Sequence, residues 1–314
     1  MRLALATLFF VVTLAGPISV TSLSRVPPLS VRPLVACETI QRLFGGGTVD
    51  PKVIASACDP NIEWHDFNAA QPLTSPAAVE NHLVKRFPAG ARLIVERVAE
   101  GSASGGFTWH YEDANSGAVG LRGTTYVEID PAKGLLTYVK EGCEPIAKPG
   151  RLTAQLLQAV TQGVEKTVEP ATYTPCTPTD APGVVSYLWQ EAYPGGAETA
   201  EALRLFSPTI RYEDFNYEST FEGKDVVAAF LAEFDFPGIE FIPSRISEGN
   251  RGCCFTWRVT INGKEGPEGI SFYEVDDDGR VCFIRDIPAP SIKPPPLLSL
   301  AALLRPKLRV FRPR

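Results

Sequence analysis

The chain has 314 residues, of which 44% are apolar, 21% charged and 10% aromatic. That is enough to bury more than one core and too apolar for a disordered chain. Thirty Lys and Arg against 36 Asp and Glu give a formal charge of −6, which sets nucleic-acid binding aside because phosphate recognition needs a cationic face.

The charge is uneven along the chain. Residues 1–37 carry Arg2, Arg25 and Arg32 with no acid, and residues 293–314 carry six bases with no acid. The acidic excess therefore falls on the body between them. Arg2 followed by the apolar run Leu3 to Ala15, with Val20 and Ser22 at −3 and −1, predicts a signal peptide over 1–22. The run is too short to span a bilayer. Residues 23–36 are basic, contain Ser and resemble a transit peptide. A two-part leader of this kind directs a protein to a plastid; the alternative is plain secretion with a short Pro-rich linker.

From there the elements follow in order. Residues 37–44 and 50–58 show apolar spacing of three and four and predict short helices. A brief alternating strand at 61–67 precedes a helix at 75–87, where Ser75 can cap and Pro76 sits in the first turn. Four strands follow, at 92–101, 105–113, 123–130 and 135–141, the last two joined by the turn PAKG. An amphipathic helix at 152–166 carries Leu152, Leu156, Leu157, Val160 and Val164 on one stripe, and a Pro- and Thr-rich linker comes after it.

The same order then repeats. A shift of 148 aligns 60–109 with 208–257 without a gap, and fifteen of those fifty positions are identical. They include Asp66/Asp214, Phe67/Phe215, Asn68/Asn216, Arg97/Arg245, Glu100/Glu248, Phe107/Phe255 and Trp109/Trp257. With small length changes the match extends to Gly123/Gly269, Glu128/Glu274 and the end pair Lys140-Glu141/Arg285-Asp286. Helices followed by a largely antiparallel sheet, twice over, mean an α+β protein of two domains, 37–147 and 182–290, with 148–181 between them. The tail, 291–314, combines a Pro run, a short apolar stretch and a basic end.

The element order, with P-x-I-x-[WY]-x-D-F ahead of the third helix of each copy, resembles the SnoaL-like branch of the NTF2-like superfamily. The resemblance covers about 37–147 and 182–290. It implies two cone-shaped domains, each a curved sheet wrapped around N-terminal helices over an apolar cavity. Members include polyketide cyclases, a ketosteroid isomerase, epoxide hydrolases and domains with no catalysis, so fold leaves function open.

Alternation puts Ile62, Trp64 and Asp66 on one face of their strand, and Ile210, Tyr212 and Asp214 on one face of theirs. A carboxyl on an apolar face is a candidate general base, and ketosteroid isomerase-like members place an Asp base on a comparable strand. The competing reading has Asp and Asn of the D-F-N segment capping a turn. Arg97 shares parity with Leu93 and Val95, so Arg97 and Arg245 are candidates to partner the Asp or anchor a ligand, against the plainer role of a cross-strand ion pair. Phe107, Trp109, Phe255 and Trp257 complete the candidate cavity wall, with Trp64 and Tyr212. His65, His82 and His110 all fall in the first copy and share no chemistry with the second.

Seven cysteines without a CxxC pair give no zinc site, and no motif implies a cofactor or metal. The leading expectation is a protein that binds a small apolar ligand in one or both cones and docks through its tail to a membrane surface or a protein complex. Enzymatic isomerisation or cyclisation of a polycyclic carbonyl compound through Asp66 or Asp214, and a non-catalytic assembly role, are the alternatives. The resemblance, in which sheets often dimerise face to face, implies an intramolecular pseudo-dimer or a homodimer.

Overall fold

The computed structural model describes residues 35–87, 91–145, 147–163, 171–234 and 238–290. The signal peptide, nearly all of the transit-like segment, the tail and part of the linker lie outside the described residues. The fold is mixed α+β, with helices leading each of two sheets.

In the first copy, α1 (Val35–Phe44) and α2 (Pro51–Ser56) are followed by β1 (Cys58–Asp66), α3 (Pro76–Arg86), β2 (Ala91–Ala99), β3 (Ser104–Asp113), β4 (Val119–Asp130) and β5 (Leu135–Cys143). Asp50 caps α2 by accepting from the Lys52 and Val53 amides, and Ser75 caps α3 by accepting from the Ala78 amide. The strand order is β1-β5-β4-β3-β2; β1 pairs with β5 in parallel and the other pairs are antiparallel.

After α4 (Arg151–Val160), the second copy repeats the plan with α5 (Ala181–Ser186), which runs into a π-helical turn at Tyr187–Ala192, then α6 (Thr199–Arg204), β6 (Phe206–Asp214), the short β7 (Phe221–Glu222), α7 (Lys224–Ala232), β8 (Ile239–Ile246), β9 (Gly252–Ile261), β10 (Lys264–Val275) and β11 (Val281–Pro288). Its order is β7-β6-β11-β10-β9-β8, again with one parallel pair, β6 with β11. The contact of β7 with β6 has its counterpart in the first copy as a single bridge between Trp64 and Leu73.

Both sheets carry a bulge at the same place, between Val95 and Arg97 in β2 and between Pro243 and Arg245 in β8. An extra residue in one strand sharpens the local twist and curves the sheet over its helices. Each concave side encloses its own core, built around Trp64, Phe107 and Trp109 in the first copy and around Tyr212, Phe255 and Trp257 in the second.

The convex sides pack on each other through a third core containing Phe67, Phe215, Tyr126, Phe272, Tyr138 and Phe283. The repeated D-F dipeptide explains itself here, because adjacent strand residues point to opposite faces. Asp66 and Asp214 turn inward, while Phe67 and Phe215 enter the core between the sheets. Cys253 and Cys254 divide in the same way, the first into the second copy's core and the second between the sheets. Gly106 and Cys254 occupy equivalent positions and face each other so closely that a Cβ on Gly106 would collide with the Cys254 side chain. All seven cysteines are free thiols.

α4 leans on the second copy. Its N-cap Gly150 donates its amide to Asn216 O at 2.8 Å, and Asn262 Nδ2 donates to Val160 O at 3.3 Å. Leu152, Leu156 and Val160 are exposed. No helix among the described residues is long and apolar enough to cross a membrane.

Candidate functional site

The two arginines expected in the cavities face away from them. Strict alternation would keep Arg97 beside Leu93 and Val95, but the bulge inserts a residue, so Val98 continues the inward row and Arg97 turns to the convex face. There Arg97 Nε donates to Glu274 Oε2 at 2.7 Å and its guanidinium lies 3.8 Å from the Phe283 ring centroid. Arg245 does the same in reverse, donating to Glu128 Oε1 at 2.5 Å over Tyr138, again at 3.8 Å. Two ion pairs between the sheets thus replace the anticipated partnership with Asp66 or Asp214.

In the first copy, Asp66 lies inward at 5% exposure and its Oδ1 accepts the Asn68 amide at 2.8 Å, so the carboxyl is both buried and a turn cap. Its Oδ2 is 2.9 Å from His82 Nε2 and 3.6 Å from Arg86 Nη1. Both residues come from α3, one turn apart on the same face. Arg86 also pairs closely with Glu141 on β5, which stands opposite Asp66 in the parallel ladder. Trp64 Nε1 donates to the same Glu141 oxygen at 2.8 Å.

Burial is the largest influence on Asp66 and raises its pKa, but the Arg86 charge, the His82 bond and the Asn68 amide outweigh it and hold the group at about 2. Asp66 is therefore a firmly ionised carboxylate. Nearby, the Tyr111 hydroxyl is buried with no hydrogen-bond partner among the described residues. Donor atoms of Asp66, His82 and Glu141 lie within 4.8 Å of one another, as metal ligands would. Arg86 contacts both carboxylates and supplies the balancing cation itself.

The second copy keeps the acids and loses the bases. Asp286 stands opposite Asp214 in the ladder, as Glu141 does opposite Asp66. The positions of His82, Arg86 and Tyr111 are taken by Phe230, Phe234 and Val259. Asp214 Oδ1 accepts the Asn216 amide at 2.8 Å. Asp286 accepts from the Tyr212 hydroxyl on one oxygen and the Ser271 hydroxyl on the other, and Trp257 Nε1 donates to Ser271 Oγ at 2.7 Å. Burial, with the neighbouring Asp286 charge second, pushes Asp214 up to about 7, and burial pushes Asp286 up to about 6.

The aromatic side chains expected to line cavities pack mainly on one another. Trp64, Phe107, Trp109, Tyr212, Phe255 and Trp257 are all buried. Phe107 lies 4.9 Å from Phe44, Trp109 5.0 Å from Tyr111, and Phe255 5.0 Å from Trp189. An open pocket of about 370 Å³ lies instead beside the turn after β6, walled by Tyr217, Phe221, Val226, Ala229 and Phe230, with Arg151 and Glu233 at its edge. Its inner wall touches the acid site: Phe230 meets Tyr212 and Tyr217 edge-on at 5.2 and 5.3 Å, and the Tyr217 amide donates to Asp214 O at 2.9 Å.

Comparison with known proteins falls on this half. Residues 194–284 match the SnoaL-like domain. The matched segment thus runs from the turn before α6 into β11 and contains Asp214 and every pocket-lining residue except Arg151. No curated protein matches the chain. Among solved structures, a steroid delta-isomerase from Pseudomonas aeruginosa is 20% identical, covering 43% of this chain and 95% of that one, with a TM-score of 0.30. An NTF-2 like protein of unknown function from Burkholderia xenovorans is 14% identical, covering 38% of this chain and 89% of its own, also at 0.30.

Sequence reasoning missed His82, Arg86, Glu141 and Asp286 as members of these sites. The spacing of His82 and Arg86 on one helix face, and the repeated pair Glu141/Asp286, were the available signals.

Proposed function

We propose that the protein binds a small apolar ligand in its SnoaL-like second copy, with the first copy packed against it as the other half of an intramolecular pseudo-dimer. The observation that carries this reading is the aromatic pocket of about 370 Å³ beside Tyr217, Phe221 and Phe230, a volume suited to a small ring compound. Its walls are mainly apolar, with Glu218 and Ser219 among the lining residues, and Arg151 and Glu233, an ion pair at 3.6 Å, supply charges that can orient a polar substituent.

The test uses 1-anilinonaphthalene-8-sulfonate, whose fused rings suit the walls and whose sulfonate suits Arg151. Ala229 is exposed within the pocket, so Ala229→Trp fills the space without disturbing the core. Dye affinity is expected to fall by about tenfold or more with the melting temperature unchanged. Equal affinity in the two proteins counts against the pocket.

Catalysis is the second reading, favoured by the place of Asp214, buried opposite Asp286 and next to the pocket's inner wall, where burial raises it to about 7 and suits it to exchange protons at neutral pH. Asp66, held at about 2, is not. Isomerase or cyclase turnover of a carbonyl compound would then depend on Asp214 and survive Asp66→Asn.

A further inference from the structure

The two copies place a pair of acids at the same point of the same parallel ladder, Asp66 with Glu141 and Asp214 with Asp286. In the first copy the Arg86 guanidinium contacts both carboxylates. In the second, the gapless alignment puts Phe234 at that position and Phe230 at that of His82. Two carboxylates side by side in an apolar setting repel each other and need a positive charge or a proton between them. We propose that the second copy is a proton-binding site, in which one proton shared by Asp214 and Asp286 does the work that Arg86 does in the first.

The groups around the pair support this. β6 supplies Tyr212, β10 supplies Ser271 and Tyr273, the segment after the π-helical turn supplies Tyr193, and the turn after β6 supplies Tyr217. These are neutral hydroxyls. α7 and the residues just after it present Phe230 and Phe234. Among the described residues a cation acting on Asp214 is Lys148, and it is committed to Glu144 at 2.5 Å and to Tyr217 O at 2.9 Å. No cation among the described residues forms an ion pair with either acid. The raised pKa values of both acids agree with this picture.

The sign follows from linkage. A carboxyl raised in the folded state contributes stability that is complete below its unfolded value, near 4, and is lost as pH rises through about 7. The full chain is therefore expected to lose about 5 °C or more of melting temperature between pH 5 and 8, and Asp286→Asn, a neutral isostere, to flatten that slope. Every other group is common to the two proteins, so the difference reports the pair.

Carbon-13 titration of aspartate-labelled protein reads the site directly. One carboxyl resonance is expected to titrate near neutrality, to vanish in Asp214→Asn, and to move toward the ordinary range in Asp286→Asn and in Phe234→Arg, which restores a guanidinium. Carboxyl resonances that all titrate near or below 4, or a slope unchanged in Asp286→Asn, overturn the proposal. The spectrum of the unmodified protein keeps the test decisive even where a variant does not fold.

Discussion

Replacing Arg86 with Met is expected to destabilise the protein by about 3–5 kcal/mol, the usual cost of leaving buried charge without its partner. Asp66 and Glu141 have side chains only 3% and 6% exposed, and the guanidinium contacting them is itself largely buried, 5.3 Å from the Trp109 ring. Removing it leaves two facing carboxylates, one bonded to His82 and the other to the neutral Trp64 indole. Adding Glu141→Gln to Arg86→Met should recover part of the loss, because a single remaining carboxylate keeps its His82 and Asn68 bonds.

The contribution of this site to the pH dependence should reverse sign as well. In the native protein Asp66 is depressed to about 2, so its contribution is present above pH 4 and lost as pH falls toward 2. Without Arg86 the burial of Asp66 raises it instead, and the variant should gain more stability than the parent does as pH falls from 7 to 4. Urea unfolding at pH 8, 6 and 4 measures both effects. A variant within 1 kcal/mol of the parent at every pH would mean that Arg86 is not the balancing cation.

Gly269→Ala is expected to cost about 3 kcal/mol, and Gly123→Ala a similar amount. Each glycine is the cross-strand partner of a tryptophan, Gly269 of Trp257 and Gly123 of Trp109, and the indole lies flat on the space where a side chain would begin. A Cβ at either position would overlap the indole ring. The rings have no room to yield, since Trp109 donates to Thr125 Oγ1 at 2.9 Å and Trp257 to Ser271 Oγ at 2.7 Å. In the second copy, displacing the ring also disturbs Ser271, which bonds Asp286.

The expected readouts are a lower urea midpoint and a red-shifted tryptophan emission. Gly46→Ala is the control, because an added Cβ there meets nothing within 4 Å. Equal midpoints for Gly269→Ala and Gly46→Ala would show that the tryptophan can repack.

Part of this was legible without coordinates. The repeated identities Trp109/Trp257 and Gly123/Gly269 stood in the sequence, and the ladders explain them together, since a large ring over a strand needs a small residue beneath it. Alternation placed Asp66 and Asp214 on the inward face, where both lie. Arg97 and Arg245 went the other way because a bulge breaks the period of two, and nothing in the local pattern of β2 announces one.

The sequence by itself determined the duplication, the order of helices and strands, and the inward acid of each copy, because these depend on local periodicity and on identities that survive a fixed shift. Only the tertiary structure decided what state those acids are in. Parallel pairing of β1 with β5 and of β6 with β11 brings up the second carboxyl, and the end of α3 brings Arg86 to one pair where the aligned position in the other copy, just after α7, is Phe234. A carboxyl's ionisation depends on the charges and solvent within a few ångströms of it, and in this fold those neighbours lie far from it along the chain, so two nearly identical D-F-N segments hold one carboxylate at about 2 and the other at about 7.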